Sequence, residues 1–416
     1  MKTAFPVHLV SVVLLALAGC HAQADRSQTS KPPPKPPVGR ATATPAASSP
    51  RGAFYETYRG RFATAPDSFT LHLTCVPKNL GSDGIAGSYY GPAGHPFQLV
   101  GQPSSGPDSL VVYDTSSDTY PGEAVAIKGG VWRLRRDGGN WTGTRAGQPL
   151  KLRRVGAAPN GLGFAIAMHS DTVAAYPGEA HTPYGDVSLQ GLIPIGSSNA
   201  SAANKKLLLN ILRELGANLS GPAHTSWQAL WLAQRQTFTQ DYRVATAVLK
   251  PTPGDTAEAI PPEVLRHQQL NAVHVLVHQP PLLSLSFSSY SYSGGVHGLG
   301  STQIRSFDLR TGQVLSFNDI FLPEARLQLS ALLERHVRQT MQIPADKPLD
   351  DELLVSEIPV CENVCLTPGG VIFSYTPYEI AAYADGEIRL FVPLAELRPW
   401  LREGLPLPAR GGVAVR

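Results

Sequence analysis

The chain opens with an almost unbroken apolar run, Val7 to Leu17, that follows a basic residue at Lys2. The run falls short of the about 20 apolar residues a membrane-spanning helix needs, so it reads as the core of a secretory signal over residues 1–19. The pattern then vanishes. Gln23 to Arg51 is mostly Ser, Thr, Pro, Ala and Lys, with Pro32-Pro33-Pro34 and Pro36-Pro37. Such a stretch buries too little apolar surface to offset chain entropy, and its prolines favour an extended, stiff conformation. Residues 20–52 are therefore expected to be a disordered tether. From residue 53 a period of two appears: Phe69, Leu71 and Leu73 alternate with Thr70, His72 and Thr74. Similar runs follow at Ile85–Tyr90, Phe97–Val100, Ser109–Tyr113, Val131–Arg135, Trp141–Thr144 and Pro149–Arg153, separated by turn residues such as Asn79 to Gly84. Short strands at this spacing predict a small antiparallel β-barrel over residues 53–155.

Beyond residue 156 the periods mix. Phe164–Met168 and Val187–Ile195 read as strands, and Ala203–Leu215 as a helix with Leu207, Leu208, Ile211, Leu212 and Leu215 in one stripe. A second helix is expected over Ser226–Val248. Strands follow at Leu270–Val277 and Leu282–Ser293, then a helix at Glu324–Met341 with Pro323 near its start. Strands at Val371–Tyr375 and Glu387–Val392 and a short helix ending near Leu401 close the pattern. This order predicts an α+β domain over 156–405, helices packed on an antiparallel sheet, and a tail over 406–416.

Composition narrows the class. Hydrophobic residues make up 42%, charged residues only 16%, and the net charge is +3. No basic stripe interleaves with aromatics, so nucleic acid is not an expected partner. Arg135-Arg136 and Arg153-Arg154 read as solvated strand ends.

The signal ends in Leu17-Ala18-Gly19-Cys20, which resembles the lipobox of bacterial lipoproteins. The resemblance implies lipidation of Cys20, cleavage before it, and a protein of the cell envelope held to a membrane and facing the periplasm or the exterior. Export places the remaining cysteines in oxidising surroundings, where Cys361 and Cys365 are expected to bond if Glu362-Asn363-Val364 turns. Cys75 reads as a buried, inert strand residue.

Two further likenesses rest on motifs. Tyr58-Arg59-Gly60-Arg61-Phe62, Gly87-Ser88-Tyr89-Tyr90-Gly91 and Trp141-Thr142-Gly143-Thr144 each set glycine beside an aromatic ring, and the region loosely resembles small lipocalin-type barrels. Ser291-Tyr292-Ser293-Gly294-Gly295-Val296-His297-Gly298, Phe307 to Gly312, Leu315 to Phe321, Gly370 to Phe373, Pro377 to Ala384 and Val392-Pro393 follow in order. This set resembles the C-terminal domain of unknown general function shared by RsiV-type anti-sigma factors and PdaC-type peptidoglycan deacetylases, clearest over 270–402. The resemblance implies extracytoplasmic binding: in the first branch the domain pair binds lysozyme. Ala382 stands where the family often has proline.

Candidate chemistry is sparse. There is no Gly-x-Ser-x-Gly, no His-Glu-x-x-His and no phosphate loop with lysine. Asp350-Asp351-Glu352 reads as a helix start. His297 sits in a glycine-rich turn that either approaches a ligand or is merely held by the ring. His274 and His278 have a zinc-like spacing, but on a strand four residues span about 13 Å, too far for one metal. Tyr378, Glu379 and Tyr383 make an aromatic loop suited to partner contact or to closing the core edge; Glu379 either pairs with a partner or caps local backbone. The expected function is non-enzymatic binding of a cell-wall-related ligand, lysozyme or peptidoglycan, with no cofactor and no metal. The alternatives are a hydrolase of envelope polymers with an unfamiliar site near His297, and a lipocalin-like carrier.

Overall fold

In the first module, eight strands alternate inward and outward residues and close on themselves. They are β1 (Phe54–Phe62), β2 (Ser68–Cys75), β3 (Ile85–Tyr90), β4 (Phe97–Pro103), β5 (Ser109–Asp114), β6 (Val131–Asp137), β7 (Asn140–Arg145) and β8 (Gln148–Arg154). Each pairs with the next in antiparallel register, and β1 pairs with β8, which removes both sheet edges. This computed structural model describes residues 52–62, 68–76, 84–103, 108–115, 130–156, 161–196, 201–250, 261 and 264–408. The expected signal, Cys20, the tether, most of the Asn79–Gly84 turn and the end of the tail lie outside the described residues.

The barrel interior is filled by side chains, as eight strands permit. Tyr58, Phe69, Leu71, Leu73, Trp132 and Trp141 all lie inside it. That filling counts against a carrier. A buried polar network stands at each end, while the Trp132 indole N–H has no partner among the described residues. Trp141 Nε1 donates to Tyr58 Oη at 2.9 Å, and Tyr58 donates to the Glu56 carboxylate. At the other end Tyr89 Oη donates to Asp114 at 2.6 Å, and Arg145 meets the same carboxylate at 3.3 Å.

The second module is an α+β arrangement around a six-stranded sheet. Its strands are β9 (Gly163–Ala174), β10 (Tyr184–Ile195), β11 (His267–Gln279), β12 (Leu282–Ser293), β13 (Leu299–Asp308) and β14 (Gln313–Leu315), in spatial sequence. Helices α1 (Ala202–Leu215) and α2 (Trp227–Ala247) connect β10 to β11. Ser201 and Ser226 cap them by accepting from the Asn204 and Ala229 N–H groups. Their apolar stripes, Leu207, Ile211, Leu212 and Leu230, Phe238, Tyr242, cover Val187, Leu189, Val273 and Leu285 of the sheet. The sheet is mixed, not wholly antiparallel: β10 and β11 run parallel. A parallel neighbour needs a long crossover, and α1 with α2 supplies it.

The chain then forms α3 (Phe317–Ile320), α4 (Ala325–Met341), a three-stranded sheet of β15 (Val364–Leu366), β16 (Gly370–Tyr375) and β17 (Ile388–Pro393), and α5 (Leu394–Leu397). Leu329, Leu333 and Val337 of α4 pack with Val371, Phe373 and Leu390 of this sheet and with Val277, Leu282 and Ile304 of the larger one. Asp350 and Asp351 lie in the first turn of a short 3-10 helix, Leu349–Asp351.

The expected disulfide is absent. Cys361 and Cys365 are separate buried thiols. Val364 already belongs to β15, so the intervening residues continue the ladder instead of turning back; Ser374 N–H donates to Asn363 O at 3.0 Å. The Cys361 thiol instead donates to Ser374 O at 3.1 Å, and burial pushes both thiols up to about 12. Cys75 is buried at the end of β2.

The barrel docks on the large sheet through a break in its ladder. A bulge between Val275 and Val277 frees carbonyls of β11. Ser88 Oγ of β3 donates to Val275 O at 2.8 Å and Leu276 O at 2.7 Å. Beside it, Tyr55 meets Phe164 edge-on, His72 and His278 approach the Tyr55 hydroxyl, and the Tyr90 hydroxyl meets His72 Nε2. A second contact stacks His95, in the β3–β4 loop, on Phe391 of β17 at 4.2 Å.

Candidate functional site

Two loops distant in sequence meet at one corner of the second module. The first is the tip of the β12–β13 hairpin, residues 294–298. Gly294 has φ +76°, and a Cβ there would lie 2.0 Å from Val264 O, so the turn demands glycine. Tyr292 Oη donates to Gly295 O at 3.0 Å and ties the tip to its own strand. Gly298 is required for a different reason: a Cβ would lie 2.3 Å from the Tyr290 hydroxyl, so that ring packs directly on the backbone.

The second loop joins β16 to β17, residues 376–387. Glu379 accepts from Thr376 N–H at 2.9 Å and Thr376 Oγ at 3.2 Å. The carboxylate therefore caps its own loop. Tyr378 N–H donates to Ala381 O at 3.1 Å, which holds Tyr378 at φ +71°, an uncommon conformation for a tyrosine. Ile380 and Ala381 are buried beneath and anchor the loop to the core.

The loops interlock through Gly298 O. Tyr383 Oη donates to it at 2.6 Å, and His297 Nδ1 approaches it at 3.1 Å. His297 and Tyr383 stack with ring centroids 3.9 Å apart and planes 18° apart. Tyr378 continues the stack at 5.7 Å from Tyr383 and 30°. Tyr378 is 54% exposed, and Val296 and Leu299 beside the stack are also exposed. Thus the four residues expected from sequence, His297, Tyr378, Glu379 and Tyr383, come together: three rings form a ladder and Glu379 holds its loop. Tyr378 does not close the core edge. Tyr290 was not singled out from sequence; its position near the end of strand β12 carries no signal of the glycine it packs on.

Chemically this corner offers fixed aromatic area. Stacked rings present π-faces and edges to a sugar ring, an aliphatic chain or a cation without ordering cost. His274 and His278 do not join it. His278 lies in the barrel contact, and burial holds both imidazoles down near 4. Nδ1 of His274 is buried without a partner among the described residues. Among the described residues no three His, Cys, Asp or Glu side chains gather as a metal site. No helix of the described residues is long and apolar enough to cross a membrane.

The family described as a protein of unknown function (DUF3298) matches residues 318–395, so a DUF3298 domain lies at the C-terminal end of the chain. The match takes in Tyr378, Glu379 and Tyr383 and stops short of His297. A solved DUF3298 family member from Bacteroides fragilis NCTC 9343 is 19% identical, with a TM-score of 0.49, covering 59% of this chain and 95% of that one. A DUF3298 family protein from Pseudomonas aeruginosa PAO1 is also 19% identical, with a TM-score of 0.42, covering 61% and 99%. No curated protein matches the chain.

Proposed function

We propose that this chain is a non-enzymatic binding protein of the bacterial envelope that recognises a cell-wall-related ligand, lysozyme or a peptidoglycan fragment. The observation that carries this reading is the exposed ladder of His297, Tyr383 and Tyr378, fixed from both loops at Gly298 O. Rings already immobilised lose little freedom on binding, which is how a small surface reaches useful affinity. The motif likeness to RsiV-type and PdaC-type proteins supports the choice of ligands. The signal-like start and Leu17-Ala18-Gly19-Cys20 support export and lipidation at Cys20, which would hold the binding module at a membrane.

Calorimetry of the compact unit Ser48–Arg416, which holds all three hydrophobic cores, against lysozyme and soluble peptidoglycan fragments tests the reading. Saturable binding to one of them, weakened by Tyr378→Ala and Tyr383→Ala without loss of folding, is expected. Binding to neither removes the proposal. Turnover of a glycan that disappears in His297→Ala with an unchanged melting temperature would replace it with the hydrolase.

A further inference from the structure

Strands β1, β8, β7 and β6 lie side by side in the closed barrel. Their inward positions include Tyr58, Leu152, Trp141 and Leu134, so alternate residues point out. One outward row of register partners reads Arg61, Lys151, Thr142, Arg135. The row on one side pairs Arg59 with Arg153 and ends on β6 in one exposed carboxylate, Asp137, opposite Asn140; on the other, Arg133 faces Thr144. All six cations are exposed, and among the described residues none enters an ion pair; Arg59 meets only the neutral Ser68 hydroxyl, at 3.3 Å. The alternation sorts each Arg-Arg pair. Arg136 and Arg154, on the inward parity, meet Glu56 at 3.7 and 2.8 Å, whereas Arg135 and Arg153 face outward. Arg135 and Arg153 are thus solvated near their strand ends, as expected, and also form one side of a largely cationic face. Strand spacings place the six charges within about 14 by 13 Å, so neighbours lie within one screening length and act as one field.

We propose that this outer face of the barrel docks on an anionic lipid bilayer. The face is convex and spreads charge in two dimensions, as a plane of headgroups requires, with no groove for a single polymer chain. Thr142, Thr144 and Pro149 between the cations are short, so the long basic side chains reach ahead of them. No outward aromatic on β1, β6, β7 or β8 beyond Tyr55 stands ready to stack a base, and Tyr55 is taken up in the sheet contact. Attraction to an anionic surface adds up cation by cation and fades within a screening length. The barrel meets the large sheet through Ser88, His72 and Tyr55, away from β6, β7 and β8. The inference goes beyond the loop site and stands whether or not that site binds.

The test is co-sedimentation of the unit Ser48–Arg416 with vesicles of phosphatidylcholine alone or mixed in equal parts with phosphatidylglycerol. Binding to the mixed vesicles at roughly 0.1 M salt, and release at about 0.5 M, is expected. The triple variant Arg61→Glu, Lys151→Glu, Arg135→Glu lowers that binding more than about tenfold. The double variant Lys205→Glu, Arg398→Glu, two exposed cations outside the barrel, leaves it unchanged. If the triple variant melts early, the corresponding glutamine triple takes its place and is expected to bind more weakly than the parent. Equal binding to neutral vesicles, no binding to anionic ones, full binding by the folded variant, or stronger binding to a single-stranded DNA oligonucleotide than to anionic vesicles each overturns the proposal.

Discussion

Nε2 of His72, on β2 of the barrel, accepts the backbone N–H of His278, on β11 of the large sheet, at 3.1 Å. An acceptor nitrogen carries no proton, so the neutral ring keeps its hydrogen on Nδ1, 3.0 Å from Tyr55 Oη. Burial holds His72 well below the ordinary histidine value and His278 down at about 4. The unfolded chain binds protons near pH 6.5 while the folded chain does not, so stability is complete above 6.5 and is lost as pH falls from there towards 4. For His278 alone that loss reaches about 3 kcal/mol at the acid end. His95 and His274, also held near 4, steepen the same slope. Urea midpoints at a series of pH values between 7.5 and 4.5 should hold down to about 6.5 and then fall, less steeply in His278→Gln. A flat profile would mean that the contact does not need neutral rings.

The second contact between the modules adds a backbone-against-backbone approach to the stack of His95 on Phe391. A Cβ on Gly369, in the β15–β16 turn, would lie 1.7 Å from Ala93 O in the β3–β4 loop. Backbone cannot swing aside as a side chain does, so Gly369→Ala should cost about 1–3 kcal/mol, the range for overpacking. Gly91→Ala, where nothing lies within 4 Å, serves as the control in the same denaturant titration and should be nearly neutral. Equal midpoints for the two variants would show that the contact yields freely.

Inside the barrel, Tyr58 Oη both accepts from Trp141 and donates to Glu56. Tyr58→Phe keeps the ring but removes the oxygen that accepts from the Trp141 indole and one donor to a buried carboxylate. Leaving buried polar groups unpaired costs about 1–3 kcal/mol, and more beside a charge. The urea midpoint should drop accordingly, with an unchanged slope because the surface exposed on unfolding is the same. A neutral substitution would mean that Arg154 and Arg136 satisfy Glu56 alone.

The barrel was legible because its strands alternate: Phe69, Leu71 and Leu73 point inward as their period requires. Helices α1 and α2 were legible from the spacing of their apolar residues. What failed was anything that depends on register or on distant partners. The parallel pairing of β10 with β11 follows from a crossover whose length was visible but whose return point was not. The Cys361–Cys365 bond needed a turn where β15 begins. Arg135 and Arg153 looked like ordinary strand ends until the ladder set them on one face with Arg61 and Lys151. At the candidate site the residue types came from motifs, but Tyr383 reaches Gly298 across 85 positions, and only the fold brings them together.

Ala382 stands at φ −64° and ψ 161°, within the range proline imposes, at the start of the turn that carries Tyr383. Alanine there leaves the unfolded loop more freedom than proline would. Ala382→Pro should therefore raise stability by about 0.4–1 kcal/mol through the unfolded chain. It should also narrow the motion of Tyr383, whose hydroxyl is already fixed on Gly298 O at 2.6 Å. Tyr383→Phe acts in the opposite direction, since it keeps the ring and removes that anchor. The stack itself is the readout: at 3.9 Å from Tyr383, the His297 ring protons lie in a strong ring current and resonate upfield. The upfield displacement should persist or grow in Ala382→Pro and shrink in Tyr383→Phe, with the melting temperature rising in the first variant and falling in the second. A proline variant that melts lower and loses the displacement would show that the loop needs the freedom alanine leaves it, and that the ladder is not held ready before a ligand arrives.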